Sequence, residues 1–177
     1  MALVEKRYAE ALLNLSVSRN DIEAYRSELG SFLEVYNGND DLRRILLNDT
    51  IEGSIKVDIL QNVLGGRLGP EILNFLKLLV EKQRIKHLPG IYTEFNALAD
   101  KKTNTIKIEI YSAFPLDELQ IEGIKEKYRQ IYGTDSARAL VTTDRSLIGG
   151  IKVKIGDRVV DATLKSRLEE LKKVITE

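Results

Sequence analysis

No cysteine occurs among these 177 residues, and histidine occurs once, at His87. Without cysteine there is no disulfide framework, no thiolate metal site and no cysteine nucleophile, which suits a reducing compartment. A lone histidine excludes a multi-histidine metal cluster. Charge of one sign is not in excess either: 27 Lys plus Arg balance 27 Asp plus Glu. No net positive field therefore draws the chain to a nucleic-acid backbone or an anionic membrane. No stretch approaches the roughly 18 apolar residues that a membrane span needs. The charged residues Glu5, Lys6 and Arg7 make the opening segment read as helix rather than signal peptide. If the protein works at a membrane, another subunit must hold it there.

What is present is a globular composition, 43% hydrophobic, enough for one sizeable domain or two small ones. Up to about residue 103 the apolar residues recur at helical spacing, with breaks at glycine, proline or short polar clusters. Val4, Tyr8, Ala11, Leu12 and Leu15 mark the buried face of a first helix. Ile22, Tyr25, Leu29, Phe32, Leu33 and Tyr36 mark that of a second, closed by Gly38 as a left-handed cap. A short third helix carries Leu42, Ile45 and Leu46, and a fourth carries Ile55, Ile59, Val63 and Leu64 up to Gly65-Gly66. Pro70 opens a fifth that is apolar on several sides, and a sixth begins near Pro89 with Ile91, Tyr92, Phe95, Leu98 and Ala99.

At about Lys101 the period changes to two: Ile106, Ile108 and Ile110 alternate with Lys107 and Glu109. Asp117 with Gln120 starts a helix through a capping box, its apolar face Leu119 or Ile121, Ile124, Tyr128 and Ile131, and Gly133 closes it. Strands follow at 139–143, 151–155 and 158–160, the last two joined by a tight Gly156-Asp157 turn, and Leu164, Leu168, Leu171 and Ile175 form the stripe of a final helix. The expected fold is α+β: a six-helix bundle over residues 1–103, then a small α/β domain over 104–177 with a short sheet and two helices.

Catalytic chemistry finds little footing. Gly149-Gly150 is followed by a strand rather than a helix with Lys and Ser or Thr, so it is not a phosphate loop. His87 has no second histidine and no local triad pattern. Adjacent carboxylates such as Asp40-Asp41 and Glu169-Glu170 point apart on a helix. Asp161, between a strand end and a helix start, reads as a cap, and a hydrolase built on Asp161 or Asp144 lacks a nucleophile beside a base. Lys152, Lys154 and Arg158 make a basic hairpin without interleaved aromatics, a solvated face rather than an RNA-binding platform. No cofactor or metal site is expected. The first and fifth helices do ask for a function: Tyr8-Ala9-Glu10-Ala11-Leu12 sets small residues beside large ones, and the fifth helix has more apolar surface than one core contact uses. A bundle interior or a groove for a partner's amphipathic helix would account for this.

Three segments, read in order, resemble the delta family of F-type ATP synthases, whose mitochondrial members are the oligomycin-sensitivity-conferring proteins. They are Arg7-Tyr8-Ala9-Glu10-Ala11-Leu12; Asn74 to Arg84 with Leu88-Pro89 and Phe95; and Leu147 to Val153, Ile155 to Asp161 and Arg167-Leu168-Glu169. The resemblance spans nearly the whole chain. Ala162-Thr163 and Ser166 depart from it, standing where the family commonly has Gly-Ser and a second glycine. The resemblance implies a non-catalytic stator subunit, present singly in a hetero-oligomer on the cytoplasmic face of a bacterial plasma membrane, with neither nucleic acid bound nor membrane inserted. Residues 1–103 would bind the N-terminal helix of an alpha subunit on the catalytic head, and 104–177 would contact the b-subunit dimer of the stalk. Carried over by position, the partner surface is Tyr8, Ala11, Leu12, Phe75, Leu78 and Leu79, and the structural signature is Gly149, Gly150, Gly156, Asp161, Arg167 and Leu168. The competing reading is a protein-binding or RNA-binding adaptor unrelated to ATP synthase.

Overall fold

The computed structural model describes residues 2–64 and 66–168, and its backbone follows both periodicities of the sequence. The class is α+β. Two compact units divide at Ala99/Asp100. In the first, α-helices occupy Ala2–Ser18 (α1), Ile22–Gly38 (α2), Asp40–Leu47 (α3), Gly53–Leu64 (α4), Pro70–Glu81 (α5) and Leu88–Lys102 (α6), and a 3-10 turn at Ile85–His87 joins the last two. Phe32 and Phe95 are fully buried in one core with Leu29, Leu60, Leu76 and Ile91. Burial of such side chains, each contributing about 1.5–3 kcal/mol relative to exposure, holds together helices too short to persist alone.

Local chemistry sets the helix ends. Asp21 accepts from the Ala24 amide, and Pro70 lies in the first turn of α5, where its missing N–H removes no bond. Gly38 does not form the expected left-handed cap. Helix α2 runs through it, and Asn39, in extended conformation, ends α2 while its side chain accepts from the Leu42 amide at 3.0 Å to start α3. A two-sided polar residue makes the glycine turn unnecessary. The face of α4 also differs from expectation. Lys56, Leu60 and Leu64 are buried, whereas Ile55 and Val63 are exposed.

The second unit holds a four-stranded sheet in the order β2-β1-β3-β4, from Thr105–Ser112 (β1), Ser136–Thr143 (β2), Ile151–Ile155 (β3) and Arg158–Asp161 (β4). β1 and β2 are parallel, joined across helix α7 (Glu118–Tyr132), while β3 pairs antiparallel with β1 and β4. Ile106, Ile108 and Ile110 alternate inward against Tyr128, Ala137, Val153 and Ile155. On α7, Ile124 and Tyr128 pack against the sheet, Ile121 is partly covered, and Leu119 and Ile131 are exposed. The capping box is present, with Asp117 accepting from the Gln120 amide at 2.7 Å, and Gly133 ends the helix at φ +63°. Residues 164–168 are helical, and Leu171 and Ile175 of the expected final stripe lie outside the described residues. Leu164 and Leu168 are half exposed rather than buried.

Gly149 and Gly150 are threaded between chain segments. The Gly150 carbonyl accepts from Ala113 and the Gly149 carbonyl from Leu164, and a side chain on Gly150, at φ +79°, would run into the Ala162 carbonyl. Gly150→Ala is expected to lower the stability of this unit by at least about 2 kcal/mol, from the left-handed backbone and the clash together. Gly123→Ala, in mid-helix with open space around it, is expected to raise stability by about 0.5–1 kcal/mol. Urea denaturation of the two variants checks both signs.

Candidate partner-binding groove

Helix α1 carries two apolar stripes side by side. Ala9, Leu12 and Ser16 turn into the core at 0–1% exposure, and the Ser16 hydroxyl donates to the Leu13 carbonyl at 2.8 Å, so its burial leaves no orphaned group. The small volume of Ala9 and Ser16 lets α1 sit close to the bundle. Val4, Tyr8, Ala11 and Leu15, spaced four, three and four, therefore fall on a neighbouring face: Val4 and Tyr8 are half-buried, Ala11 and Leu15 exposed. Of the expected buried face Val4, Tyr8, Ala11, Leu12 and Leu15, Leu12 is buried and Tyr8 packs half-buried against the core, whereas Ala11 and Leu15 are exposed.

Helix α5 lies beside that outward stripe and runs antiparallel to α1. Arg19 near the end of α1 pairs with Glu71 at the start of α5 at 3.1 Å; Tyr8 meets Phe75 edge-on with centroids 6.1 Å apart; Arg84, beyond α5, returns to Tyr8. The Arg84 guanidinium stands 5.6 Å from the Tyr8 ring centroid and donates to its hydroxyl at 3.3 Å. Val4, Arg7, Tyr8, Ala11 and Arg84 enclose a cavity of about 290 Å³. Glu5 is turned away, with its Oε1 3.1 Å from Nδ1 of His87.

Of the six residues carried over by position, Tyr8, Ala11 and Phe75 reach this surface, and Leu78 is exposed on α5 with 40% of its area open. Leu12 and Leu79 do not; at 1% and 0% exposure they belong to the core beneath it. Val4, Arg7 and Arg84 also line the cavity and stand outside the carried-over set. The four-three-four spacing of Val4, Tyr8, Ala11 and Leu15 is a signal for the apolar members, once Ala9 and Ser16 are allowed as core residues.

The second unit places the signature residues in structural roles. Gly149 and Gly150 permit the close strand crossing, and Gly156, at φ +57°, begins the β3–β4 turn. Asp161 is not itself the cap that the sequence suggested. Its Oδ1 accepts from the Thr163 amide at 2.9 Å and hydroxyl at 2.7 Å, and the Thr163 oxygen in turn accepts from the Ser166 amide. Arg167 donates its amide to the Thr163 carbonyl, and both Arg167 and Leu168 are exposed. Hydrogen bonds from Thr163 hold the Asp161 carboxyl below the ordinary range, as those from Ser146 do for Asp144. That direction is opposite to the one a general acid needs at neutral pH. The expected basic cluster is split: the register sets Arg158 opposite Ile155, on the other face from Lys152 and Lys154. Glu109 further offsets the lysines, accepting from Lys107 at 2.8 Å and lying 3.5 Å from Lys154, and the Lys107 hydrogen bond holds its carboxyl low.

Among the described residues no helix is long and apolar enough to cross a membrane. The chain matches the ATP synthase delta (OSCP) subunit family over residues 4–175. It is 39% identical over 176 residues to the ATP synthase subunit delta of Ruminiclostridium cellulolyticum, covering 99% of each chain. To that of Acetivibrio thermocellus it is 38% identical over 175 residues, 99% of this chain and 98% of the relative. In fold it is similar to a chain of the Toxoplasma gondii mitochondrial ATP synthase hexamer, with a TM-score of 0.70 over 98% of this chain and 97% of that one at 22% identity.

Leu79→Ala is expected to cost about 2–5 kcal/mol and Leu78→Ser less than about 1 kcal/mol, measured by chemical denaturation. Asp161 contributes stability above the ordinary carboxylate value of 3.8 and loses it as pH falls through its lowered folded value. Wild type should thus be more stable than Asp161→Asn at neutral pH, by less than about 1 kcal/mol because the carboxyl is exposed, a gap that closes in acid.

Proposed function

The chain belongs to the ATP synthase delta (OSCP) subunit family, and on that premise we propose how its two units serve a non-catalytic stator subunit. Such a subunit joins the catalytic head to the peripheral stalk and holds the head still while the rotor turns. The first unit receives the N-terminal helix of an alpha subunit in the groove between α1 and α5. The second unit meets the b-subunit dimer, and half-exposed Leu164 and Leu168 are apolar surface suited to that contact. One copy serves each complex, held by these partners at the cytoplasmic face of the plasma membrane.

The outward stripe of α1 carries this reading. A self-sufficient bundle would bury this stripe, yet Ala11, Leu15 and Leu78 are exposed, and Val4, Tyr8 and Phe75 are covered only in part. Apolar burial contributes about 25 cal/mol per Å², about 2.5 kcal/mol gross for each 100 Å² covered by a docked helix, part of which offsets the entropy lost on docking. That suits a joint under torque, because exposed ion pairs alone contribute little. The adaptor reading is less well supported: the sheet lysines share Glu109, and Tyr111 among them is half-buried with its hydroxyl donating to the same carboxylate.

A peptide copying the alpha subunit's N-terminal helix is expected to bind the full chain with micromolar affinity or better in calorimetric titration. Leu78→Asp should weaken binding by at least about tenfold, the equivalent of about 1.4 kcal/mol, without unfolding the chain. Absence of binding by wild type at high micromolar peptide would overturn the groove assignment.

A further inference from the structure

The groove is electrically lopsided. At one end Arg19 and Glu71 neutralise each other at 3.1 Å. At the other, Arg7 and Arg84 both line the cavity and, among the described residues, neither has a carboxylate partner. The nearby acids of α1 are engaged elsewhere, Glu5 with His87 at 3.1 Å and Glu10 with Lys6 at 4.0 Å. Arg84 is also oriented, its guanidinium on the Tyr8 ring and one N–H on the Tyr8 hydroxyl, which leaves further donors of the planar fork unused. Two cations beside an apolar trough complement one kind of ligand: an amphipathic helix with a carboxylate on the flank of its apolar stripe.

We propose that Arg7 and Arg84 form a carboxylate clamp at the α1 N-terminal end of the groove, which fixes the register and direction of a docked amphipathic helix. This rests on the reading that the groove receives a helix. The apolar stripe supplies affinity and is nearly indifferent to direction. The clamp supplies direction, because a helix docked in reverse would bring its carboxylate to the Arg19–Glu71 end, where the cation is already paired.

The test is fluorescence anisotropy of the labelled alpha-subunit N-terminal peptide with the full chain, at low and high salt. Arg7 is exposed, with no side-chain hydrogen bond or ion pair to another described residue, so Arg7→Glu should keep the wild-type circular dichroism spectrum. It is expected to weaken binding by about fivefold or more at low salt, with the difference shrinking as salt screens the pair. Replacing each peptide carboxylate in turn by its amide should reveal one whose loss removes the sensitivity to Arg7. Equal binding by wild type and Arg7→Glu, or coupling to none of the carboxylates, would overturn the clamp and leave the groove standing. A wild-type chain that binds no peptide, or that covers this face with a second copy of itself, would overturn the groove and the clamp together.

Discussion

Helix α1 meets the bundle through Ala9, Leu12 and Ser16, and much else in the first unit depends on that contact. Two of the three are small, so the helix sits close, with Tyr8 and Leu13 packing half-buried at the margin of the core. The rotation this sets leaves the bulkier stripe of Val4, Tyr8, Ala11 and Leu15 facing outward beside α5. The Tyr8–Phe75 edge contact, the Arg84 stack and the Arg19–Glu71 pair then hold the two helices along a common groove. Larger residues at positions 9 and 16 would push α1 away and alter the groove without touching a groove residue.

In the second unit the corresponding constraint lies in the backbone. Gly149 and Gly150 pass beneath residues 162–164, and the loop before them turns at Ile148, where a branched side chain takes φ +67°. Such a conformation is costly for a β-branched residue. It persists because the hydrogen bonds from Ala113 and Leu164 to the adjacent glycine carbonyls over-determine the path. The segment that most clearly resembles the family therefore builds the sheet and the helix start, while the apolar groove lies on the other unit.

Much of this was legible in the sequence. Period alone gave the helices of the first unit and the alternating β1, and the Asp117–Gln120 capping box and the Gly133 cap were readable from residue type. Rotation about a helix axis was not. Val4, Tyr8, Ala11 and Leu15 and the set Ala9, Leu12 and Ser16 are both helical stripes, and hydrophobicity favours the wrong one, because a serine bonded to its own helix can be buried at little cost. For the same reason Ile55 and Val63 read as the buried face of a helix that buries Lys56 and Leu60, while Leu12 and Leu79, carried over by position from the family resemblance, lie in the core. Sheet register was equally hidden, and it separates Arg158 from Lys152 and Lys154.

Family membership and groove together describe a subunit whose work is attachment: one apolar trough on a rigid bundle, and carboxylates such as Asp144 and Asp161 that serve turns rather than chemistry. The central claim is that the outward stripe of α1 is covered in the working assembly. A cryo-electron microscopy map of the intact ATP synthase containing this chain tests it most directly. Helical density from an alpha subunit is expected along α1 and α5, over Tyr8, Phe75 and Leu78. A map in which that face stands bare to solvent, with the head held through other surfaces of the chain, would contradict it.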